Sequence, residues 1–318
     1  MKKRQKMLWV SAFLTAMRMK GETVQEIASF AKIMREYAVK IYPKVKDAVD
    51  TCGTGGDRIK TFNISTISAF VIAASGVPVA KHGNRAVTSK TGSADLLESF
   101  GIKIDVSPKI TEKSIEKIGI GFLFAPIFHK AMKNVAKVRN ELKIRTVFNI
   151  LGPLTNPANV KRQVLGVFSP ELTEKIANVL KNLGCERALV VHGMDGIDEI
   201  STIGKTKISE LKNRRVETYF VEPEEFGIRR AKAKELRGGD IEYNKRIALE
   251  LLKGRHSPMM DAVLLNSAAG LYVGDAVKTI EDGIDVAKNS IESGKAIKKL
   301  NELREMYGKS QSEDMRNN

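Results

Sequence analysis

The sequence predicts an α/β protein with a parallel central sheet that is preceded by two helices. Two observations lead to this fold class. The chain opens with two helical patterns and no strand pattern. It then runs through a strand, a glycine-rich loop, a helix and a second strand, and this order makes the two strands parallel. The 318 residues suffice for one large domain or two domains of medium size.

The two opening helices have clear boundaries in the sequence. Apolar residues at helical spacing occupy 7–17, and Gly21 ends the first helix. Thr23 and Glu26 form the pattern of a capping box at the start of the second helix. Pro43 closes that segment. We therefore expect two helices before the first strand.

The later elements are predicted from short apolar runs and from helical spacing. Strands are expected at residues 48–51, 77–81, 103–106, 164–168 and 188–192. Helices are expected at residues 64–75, 93–101, 171–183, 261–271, 280–293 and 296–306, and the stretch 108–155 is also expected to be helical. The stretch 204–247 is charged and fits neither pattern.

Composition excludes several classes of protein. Hydrophobic residues make up 42% of the chain, which excludes global disorder. Cys52 and Cys185 are too few for a disulfide framework or a four-ligand metal cluster. No apolar run reaches the roughly 18–20 residues of a membrane span. A signal peptide is disfavoured because no small-residue cleavage site follows the apolar stretch 7–17. We therefore expect a cytoplasmic protein.

The charge of the chain indicates an anionic partner. There are 53 Lys and Arg against 37 Asp and Glu, a formal net charge of +16. Nucleic acid, a membrane surface and a phosphorylated small molecule are the three candidate partners. Against a non-catalytic nucleic-acid-binding protein, only 6% of the residues are aromatic and no nucleic-acid motif is recognised. A membrane surface would call for a basic amphipathic helix with aromatic anchors, which the sequence lacks.

The loop Gly53–Asp57, with the sequence GTGGD, lies between a predicted strand and a predicted helix. Glycines let backbone N–H groups approach an anion, and a helix N-terminus favours negative charge. The spacing matches neither the P-loop nor GxGxxG. The loop therefore predicts a phosphate site, and a mere tight turn is the alternative that the loop alone leaves open.

Polar and cationic residues follow the loop. Asn63, Ser65 and Thr66 open the next helix, where they suit an anion or its metal, or simply cap the helix. The sequence KHGNR at 81–85 follows the second strand, at the end where open α/β sheets bind ligands. Packing gives no reason for Lys, His, Asn and Arg around a glycine, so these residues indicate a ligand site.

Longer motifs carry a resemblance to a known family. They are DTCGTGGD at 50–57, FNIST at 62–66, KHGNRAVTSKTGSADLLESFG at 81–101, RTVFNILGPLTNP at 145–157 and HGMDGIDEIS at 192–201. In sequence, order and spacing they resemble the anthranilate phosphoribosyltransferase family. The resemblance extends over roughly residues 8–307, and the combination of motifs is highly specific.

The resemblance implies a fold like that of the pyrimidine nucleoside phosphorylases. A small helical domain (1–43 and 126–155) is expected beside a larger α/β domain (44–125 and 156–318) with a mainly parallel central sheet. The implied enzyme transfers the phosphoribosyl group of phosphoribosyl pyrophosphate (PRPP) to anthranilate in tryptophan biosynthesis. The products are N-(5-phosphoribosyl)anthranilate and pyrophosphate, and the cofactor is Mg²⁺ (one or two ions).

The matching motifs also imply the site residues. For PRPP these are Gly53, Gly55, Gly56, Asp57, Thr61, Asn63, Ser65, Thr66, Lys81 and Ser89. For anthranilate they are Gly53, His82, Asn84, His129, Arg139, Gly152 and Pro153. For magnesium they are Ser65, Asp198 and Glu199. No acid, base or nucleophile is assigned, because the aromatic amine of anthranilate is itself a nucleophile.

The residue types fit these roles, although each has a plainer interpretation. Asp198 and Glu199 suit a hard cation, but could be a solvated acidic turn. Arg139 suits a carboxylate through a bidentate pair, but could be a charge on a helix surface. Arg58-Ile59-Lys60 replaces a stretch where the family often has glycines. These cations either reach phosphates or stiffen the loop.

The resemblance also bears on the oligomeric state of the protein. Family members begin with about two further helices before the segment that starts at Met7, and these support their usual dimer. A homodimer is therefore compatible with the resemblance, but the oligomeric state stays open.

A pyrimidine nucleoside phosphorylase-like enzyme is the nearest alternative on the same fold. The segment 81–85 and the region of Arg139 and Pro153 speak against it.

Overall fold

A single mixed sheet forms the centre of the molecule. The computed structural model describes residues 3–86 and 91–314. The strands in this part of the chain are β1 (Val49–Gly53), β2 (Val79–Gly83), β3 (Ile120–Phe124), β4 (Arg162–Gly166), β5 (Arg187–Gly193), β6 (Thr206–Lys212) and β7 (Arg215–Val221). Their order in the sheet is β3-β2-β1-β4-β5-β6-β7. Strands β1 to β5 pair in parallel, and β6 and β7 add an antiparallel hairpin at one edge.

Helices cover both faces of the sheet. They are α1 (Lys3–Lys20), α2 (Val24–Glu36), α3 (Ile64–Ala74), α4 (Ser93–Ser99), α5 (Pro108–Ile118), α6 (Ala125–Phe128), α7 (Lys133–Leu142), α8 (Phe148–Leu151), α9 (Leu172–Asn182), α10 (Ile241–Leu252), α11 (Pro258–Val273), α12 (Ile280–Glu292) and α13 (Lys295–Asp314). The capping box at Thr23 and Glu26 is present at the start of α2. None of the helices in the described segments is long and apolar enough to span a membrane.

Alternate residues of the strands pack against different helix layers. Val164 of β4 and Leu189 of β5 share a buried cluster with residues of α11. Their chain neighbours Leu165 and Val190 share another cluster with residues of α9 and with Ile27 of α2. Side chains of a strand point alternately to its two faces, so the sheet is buried on both sides.

Four of the predicted strands are confirmed and one is wrong. Strands β1, β2, β4 and β5 lie at or within two residues of their expected positions. Residues 103–106 form no strand. The alternation that suggested one is real, because Ile102, Ile104 and Val106 are buried while Lys103 and Asp105 are exposed. An extended segment that crosses the core shows this period of two even without a paired neighbour.

Two strand regions were not recognised in the sequence. The stretch 108–155 was expected to be helical, yet it contains β3, in which all five residues are buried. A strand buried on both faces reads as a continuous apolar run, which periodicity cannot distinguish from a buried helix. The unassigned stretch 204–247 contains the β6–β7 hairpin, whose turn residues Asn213 and Arg214 have φ of 51° and 62°. Two positive φ values are typical of a tight hairpin turn.

The carboxyl ends of the parallel strands lie at one edge of the sheet, and the chain turns closely past them. Gly166 ends β4 beside the turn that carries Asp198. A Cβ at Gly166 would overlap the backbone oxygen of Asp198. A glycine is therefore required there for the two segments to pass each other.

This close approach predicts the effect of Gly166→Ala. Overpacking of this kind costs about 1–3 kcal/mol, so the free energy of unfolding should fall by that amount in urea titrations. Gly308→Ala is the matched control, because Gly308 is exposed in α13 with no atom within 4 Å of an added Cβ. That variant should be as stable as the parent or more stable by up to about 1 kcal/mol. An unchanged urea midpoint for Gly166→Ala would contradict the packing described here.

Candidate active site

A cavity of about 460 Å³ opens where the parallel strands end. Its wall combines the loop after β1, the first turn of α3, the residues after β2 and the turn after β5. The residues predicted to bind PRPP that line it are Gly53, Gly55, Gly56, Asp57, Thr61, Asn63, Ser65, Thr66 and Lys81. The predicted magnesium residues Ser65, Asp198 and Glu199 line the same cavity. Ser89, which was also predicted, lies outside the described residues.

The glycine loop is shaped by left-handed backbone and by contact with Asp198. Gly55 and Gly56 have φ of 67° and 93°, a region that side chains disfavour. The backbone N–H of Gly55 donates to Oδ2 of Asp198 at 2.9 Å. A Cβ at Gly53 would lie 2.6 Å from the same oxygen. The loop therefore needs glycine both for its conformation and for its distance to the acidic turn.

Asp57 closes the loop from within. Its Oδ1 accepts from the backbone N–H of Ile59 at 2.7 Å. Its Oδ2 accepts from the backbone N–H of Thr61 at 2.6 Å and from the Thr61 hydroxyl at 2.7 Å. Both carboxylate oxygens thus hold residues 57–61 in a compact turn at the rim of the cavity.

Lys81 is a buried cation in the floor of the cavity. Its Nζ donates to the backbone oxygen of Thr51, and it lies 3.5 Å from the Ser65 hydroxyl. Burial lowers the pKa of Lys81, and the nearby carboxylates Asp50 and Glu199 oppose that shift. The ammonium group therefore faces both the strand ends and the acidic turn.

Asp198 and Glu199 form an acidic pair that is only half-buried but poorly solvated. Burial and the nearby Asp57 raise the pKa of Asp198 to about 6. Burial, together with Asp198, also raises the pKa of Glu199. The backbone N–H of Ser65 hydrogen-bonds to Glu199. Two neighbouring carboxylates in this surrounding are stabilised in their ionised form by a bound cation.

These oxygen donors fit magnesium. Within residues 3–86 and 91–314, no group of three or more His, Cys, Asp or Glu side chains gathers to hold a metal. The carboxylates of Asp198 and Glu199 and the hydroxyl of Ser65 therefore supply only part of a magnesium coordination shell. Mg²⁺ commonly binds in this way, through one or two carboxylates with water and substrate phosphates as its other ligands.

A second cavity, of about 270 Å³, adjoins the first and shares His82 and Asn84 with it. Of the residues predicted to bind anthranilate, His82, Asn84, His129, Arg139 and Gly152 line this second cavity. Two others lie elsewhere. Gly53 lines the first cavity, and Pro153 is buried below the turn, where its backbone oxygen accepts from Nε2 of Gln163 at 2.7 Å.

Arg139 supplies a cation to the second cavity. Its guanidinium lies over the Phe148 ring, 5.3 Å from the ring centroid. Partial burial lowers the pKa of Arg139, and no described residue forms an ion pair with it. The remaining wall includes apolar side chains such as Met34 and Pro126. The cavity therefore combines an aromatic and apolar surface with two basic residues, Arg139 and Lys133, which suits an aromatic carboxylate.

His82 lines both cavities and His129 lines the second, and both are neutral imidazoles. Their ring centroids are 5.1 Å apart. Burial and the nearby His129 lower the pKa of His82 to about 3, and burial lowers the pKa of His129 to about 4. Each ring hydrogen-bonds to backbone, at Gly152 and Thr155 respectively. Both Nε2 atoms are buried and have no hydrogen-bond partner in the described structure.

Several further lining residues were assigned to no particular ligand, although Arg85 belongs to the segment 81–85 that indicated a ligand site. Lys60, Arg85, Ser93 and Arg145 line the first cavity. Arg85 is neutralised by Glu98, with one of its hydrogen bonds at 2.7 Å. The quoted motifs include Arg85, Ser93 and Arg145. Lys60 belongs to the segment 58–60, where this chain differs from the family. The sequence therefore contained a signal for all four residues. The role of each depends on tertiary contacts that the motifs do not reveal.

Comparisons with known proteins show the family to which the chain belongs. The glycosyl transferase family a/b domain matches residues 45–297, and the helical bundle domain of that family matches residues 9–38. Anthranilate phosphoribosyltransferase of Acetivibrio thermocellus is 58% identical over 294 residues, 92% of this chain and 85% of the relative. The enzyme of that name from Alkaliphilus metalliredigens is 53% identical, covering 92% and 87%. This chain belongs to the anthranilate phosphoribosyltransferase family.

Solved structures of the family confirm the predicted fold class, a helical domain with a larger α/β domain. The Thermus thermophilus enzyme has a TM-score of 0.90 at 43% identity, covering 95% of this chain and 90% of that one. The Saccharomyces cerevisiae enzyme in complex with PRPP and Mg has a TM-score of 0.87 at 32% identity, covering 95% and 86%.

The two buried histidines predict how stability depends on pH. The folded pKa values of about 3 for His82 and about 4 for His129 lie below the unfolded value of about 6.5. Between these values the two rings bind more protons in the unfolded chain than in the folded chain, so their contribution to the free energy of unfolding should fall as the pH is lowered from about 6.5 towards 4. The raised pKa values of Asp50 and Asp198, both about 6, act in the opposite direction. Urea titrations of the parent and of the double variant His82→Asn/His129→Asn across this range isolate the histidine contribution as the difference between the two proteins.

Nuclear magnetic resonance of the imidazoles supplies the control for this prediction. The signals of His82 and His129 in the folded protein should stay unchanged between pH 7.5 and 5. A titration of either ring with a midpoint near 6.5 would show that its burial does not hold it neutral. Relative to this double variant, the parent should lose stability as the pH is lowered over this range.

Proposed function

We propose that this chain transfers the phosphoribosyl group of PRPP to the amine of anthranilate, as the step of tryptophan biosynthesis that its family performs. The observation that carries this function is the pair of adjoining cavities. One is polar and holds the glycine loop, and the other is largely apolar and holds Arg139. They meet at His82 and Asn84, so two ligands of different chemistry would meet there.

The first cavity suits PRPP. The loop at 53–57 presents backbone N–H groups beside the start of α3, where a phosphate is favoured. Lys81 adds a cation from the floor. The residues that we propose for PRPP are Gly53, Gly55, Gly56, Asp57, Thr61, Asn63, Ser65, Thr66, Lys81 and Ser89.

Magnesium belongs beside the acidic pair. We propose that Ser65, Asp198 and Glu199 hold it, with one or two ions in the cavity. Bound there, Mg²⁺ supplies positive charge that neutralises the leaving pyrophosphate. The raised pKa values of both carboxylates agree with this role, since a site built for a cation leaves its carboxylates short of other stabilisation.

The second cavity suits anthranilate. Arg139 would bind the carboxylate, and Phe148, over which its guanidinium lies, offers a face for the aromatic ring. Gly152 and His129 border the same space. The residues that we propose for anthranilate are Gly53, His82, Asn84, His129, Arg139, Gly152 and Pro153. Of these, Gly53 lines the adjoining first cavity, and Pro153 is buried below the turn that borders the second.

The residues of this chain promote the reaction by position and charge. Carbon 1 of the ribose loses pyrophosphate and gains the amine nitrogen. The leaving group is polyanionic, so groups that stabilise its charge lower the barrier. His82 and His129, being neutral, do not oppose the positive charge that develops on carbon 1 and on the attacking nitrogen. No general base is needed to activate an aromatic amine.

We also propose the domain division given by the resemblance, with 1–43 and 126–155 forming the helical domain. Contacts of α1 with α7 and of α2 with α8 support it, and α2 also packs on α9 of the α/β domain.

A homodimer is proposed as the assembly. Leu8, Trp9 and Phe13 of α1 are 64%, 62% and 50% exposed, an apolar surface of the kind that subunits bury. We propose the cytoplasm as its location.

A fluorescence assay tests the reaction and the metal site together. Anthranilate fluorescence should fall only when both PRPP and Mg²⁺ are present. Asp198→Asn with Glu199→Gln should reduce the Mg²⁺-dependent rate at least about 100-fold, because two charged ligands are lost. Glu217→Gln, at an exposed position of β7, is the matched control and should keep the parent rate. Phosphorolysis of thymidine or uridine without transfer to anthranilate would favour the nucleoside phosphorylase instead.

Substitution of Arg139 tests the acceptor pocket. Arg139→Ala should raise the KM for anthranilate about 10- to 150-fold, the range expected for loss of a charged hydrogen bond of about 1.5–3 kcal/mol. The KM for PRPP should change little. Lys137→Ala is the control, since Lys137 is exposed on the same helix and pairs with Glu141. An unchanged KM for anthranilate in Arg139→Ala would remove this residue from the pocket.

A further inference from the structure

Arg145 is a cation in the wall of the first cavity that the assigned residues do not include. It lies between α7 and α8, and its side chain is exposed to the cavity. Its guanidinium is stacked over the Phe168 ring, 4.2 Å from the centroid. Across residues 3–86 and 91–314, no side chain or backbone group forms a hydrogen bond or ion pair with it. An Arg fixed in place with its donors unused is poised to bind an anion.

The guanidinium lies directly against the glycine loop. A Cβ built on Gly56 would come within 2.8 Å of Nη2 of Arg145 and 3.3 Å of Cβ of Phe168. The positive φ of Gly56 also disfavours a side chain there. Gly56 thus leaves room for the guanidinium beside the backbone N–H groups of the loop, where the diphosphate of PRPP would bind.

The other cations of this cavity differ from Arg145. Lys81 is buried and donates to the backbone of Thr51. Arg85 is committed to Glu98 and Asp95. Lys60 lines the cavity, but no described side chain fixes its ammonium group. Arg145 combines a fixed orientation, contact with the loop and unused donors.

We propose that Arg145 binds the pyrophosphate of PRPP and holds it as it leaves; this inference rests on the proposed function. The bond from carbon 1 to the pyrophosphate oxygen breaks, and its electron pair stays on that oxygen. The amine nitrogen forms the new bond to carbon 1 and gives up one proton to water. Arg145 remains protonated throughout and stabilises the negative charge that develops on the leaving oxygen and its phosphates.

Steady-state kinetics of three variants test this role. Arg145→Gln should raise the KM for PRPP about 10- to 100-fold and raise the inhibition constant of pyrophosphate by a similar factor, while the KM for anthranilate stays within twofold. Arg145→Lys should recover part of the loss, because it keeps the charge without the planar fork. Arg215→Gln, on the exposed edge strand β7, is the control and should match the parent.

A structural role would give a different pattern. If Arg145 only supported the fold, Arg145→Gln would lower the thermal midpoint and weaken both substrates together, and Arg145→Lys would not restore PRPP selectively. Values of KM for PRPP and of the inhibition constant within twofold of the parent would also overturn the proposal.

Direct binding separates this proposal from the function on which it rests. Calorimetry with inorganic pyrophosphate and Mg²⁺ measures anion binding without any transfer reaction. Should the parent protein fail to consume anthranilate, weaker pyrophosphate binding by Arg145→Gln than by Arg215→Gln would still support Arg145 as the anion-binding residue. Equal binding by the two variants would refute it.

Discussion

The candidate site depends on one hydrogen bond, from the backbone N–H of Gly55 to Oδ2 of Asp198 at 2.9 Å. It joins two loops whose residues are 143 positions apart in the chain. Glycines at 53 and 166 allow the approach, because a side chain at either would collide with Asp198. The acidic turn is thereby held beside the backbone donors of the glycine loop. Groups that attract an anion and groups that attract a cation thus share one cavity, as a magnesium-bound diphosphate requires.

A second buried contact holds the two cavities in a fixed relation. Asp50 accepts from Nδ2 of Asn156 at 2.8 Å and from the backbone N–H of His82 at 3.1 Å. Asn156 also donates to the backbone oxygen of Ala80 at 2.8 Å. Burial raises the pKa of Asp50 to about 6, while nearby Lys81 opposes the shift. Asn156 follows the turn that borders the acceptor pocket, and His82 lies in β2 next to Lys81. The Asp50 carboxylate therefore connects the pocket to the strand that carries Lys81.

The predictions that succeeded rested on local signals. The capping box of α2 and the order of strand, glycine loop and helix are written in neighbouring residues, and the structure bears them out. Strand β3 was missed because a strand buried on both faces has the composition of a buried helix. Contacts such as Arg145 over Phe168 or Asn156 on Asp50 join segments far apart in the chain, so no local pattern could reveal them. The net charge of +16 pointed to an anion, but few of the 53 basic residues line either cavity.

The shared wall of the two cavities has a consequence for turnover. In the proposed reaction, one molecule comes to contain both the ribose phosphate and the aromatic acid, and it spans the boundary at His82 and Asn84. Such a product blocks the entry of PRPP and of anthranilate at the same time. Its departure must therefore precede the arrival of either substrate. Free product therefore competes with both substrates, and turnover is faster when a following reaction keeps its concentration low.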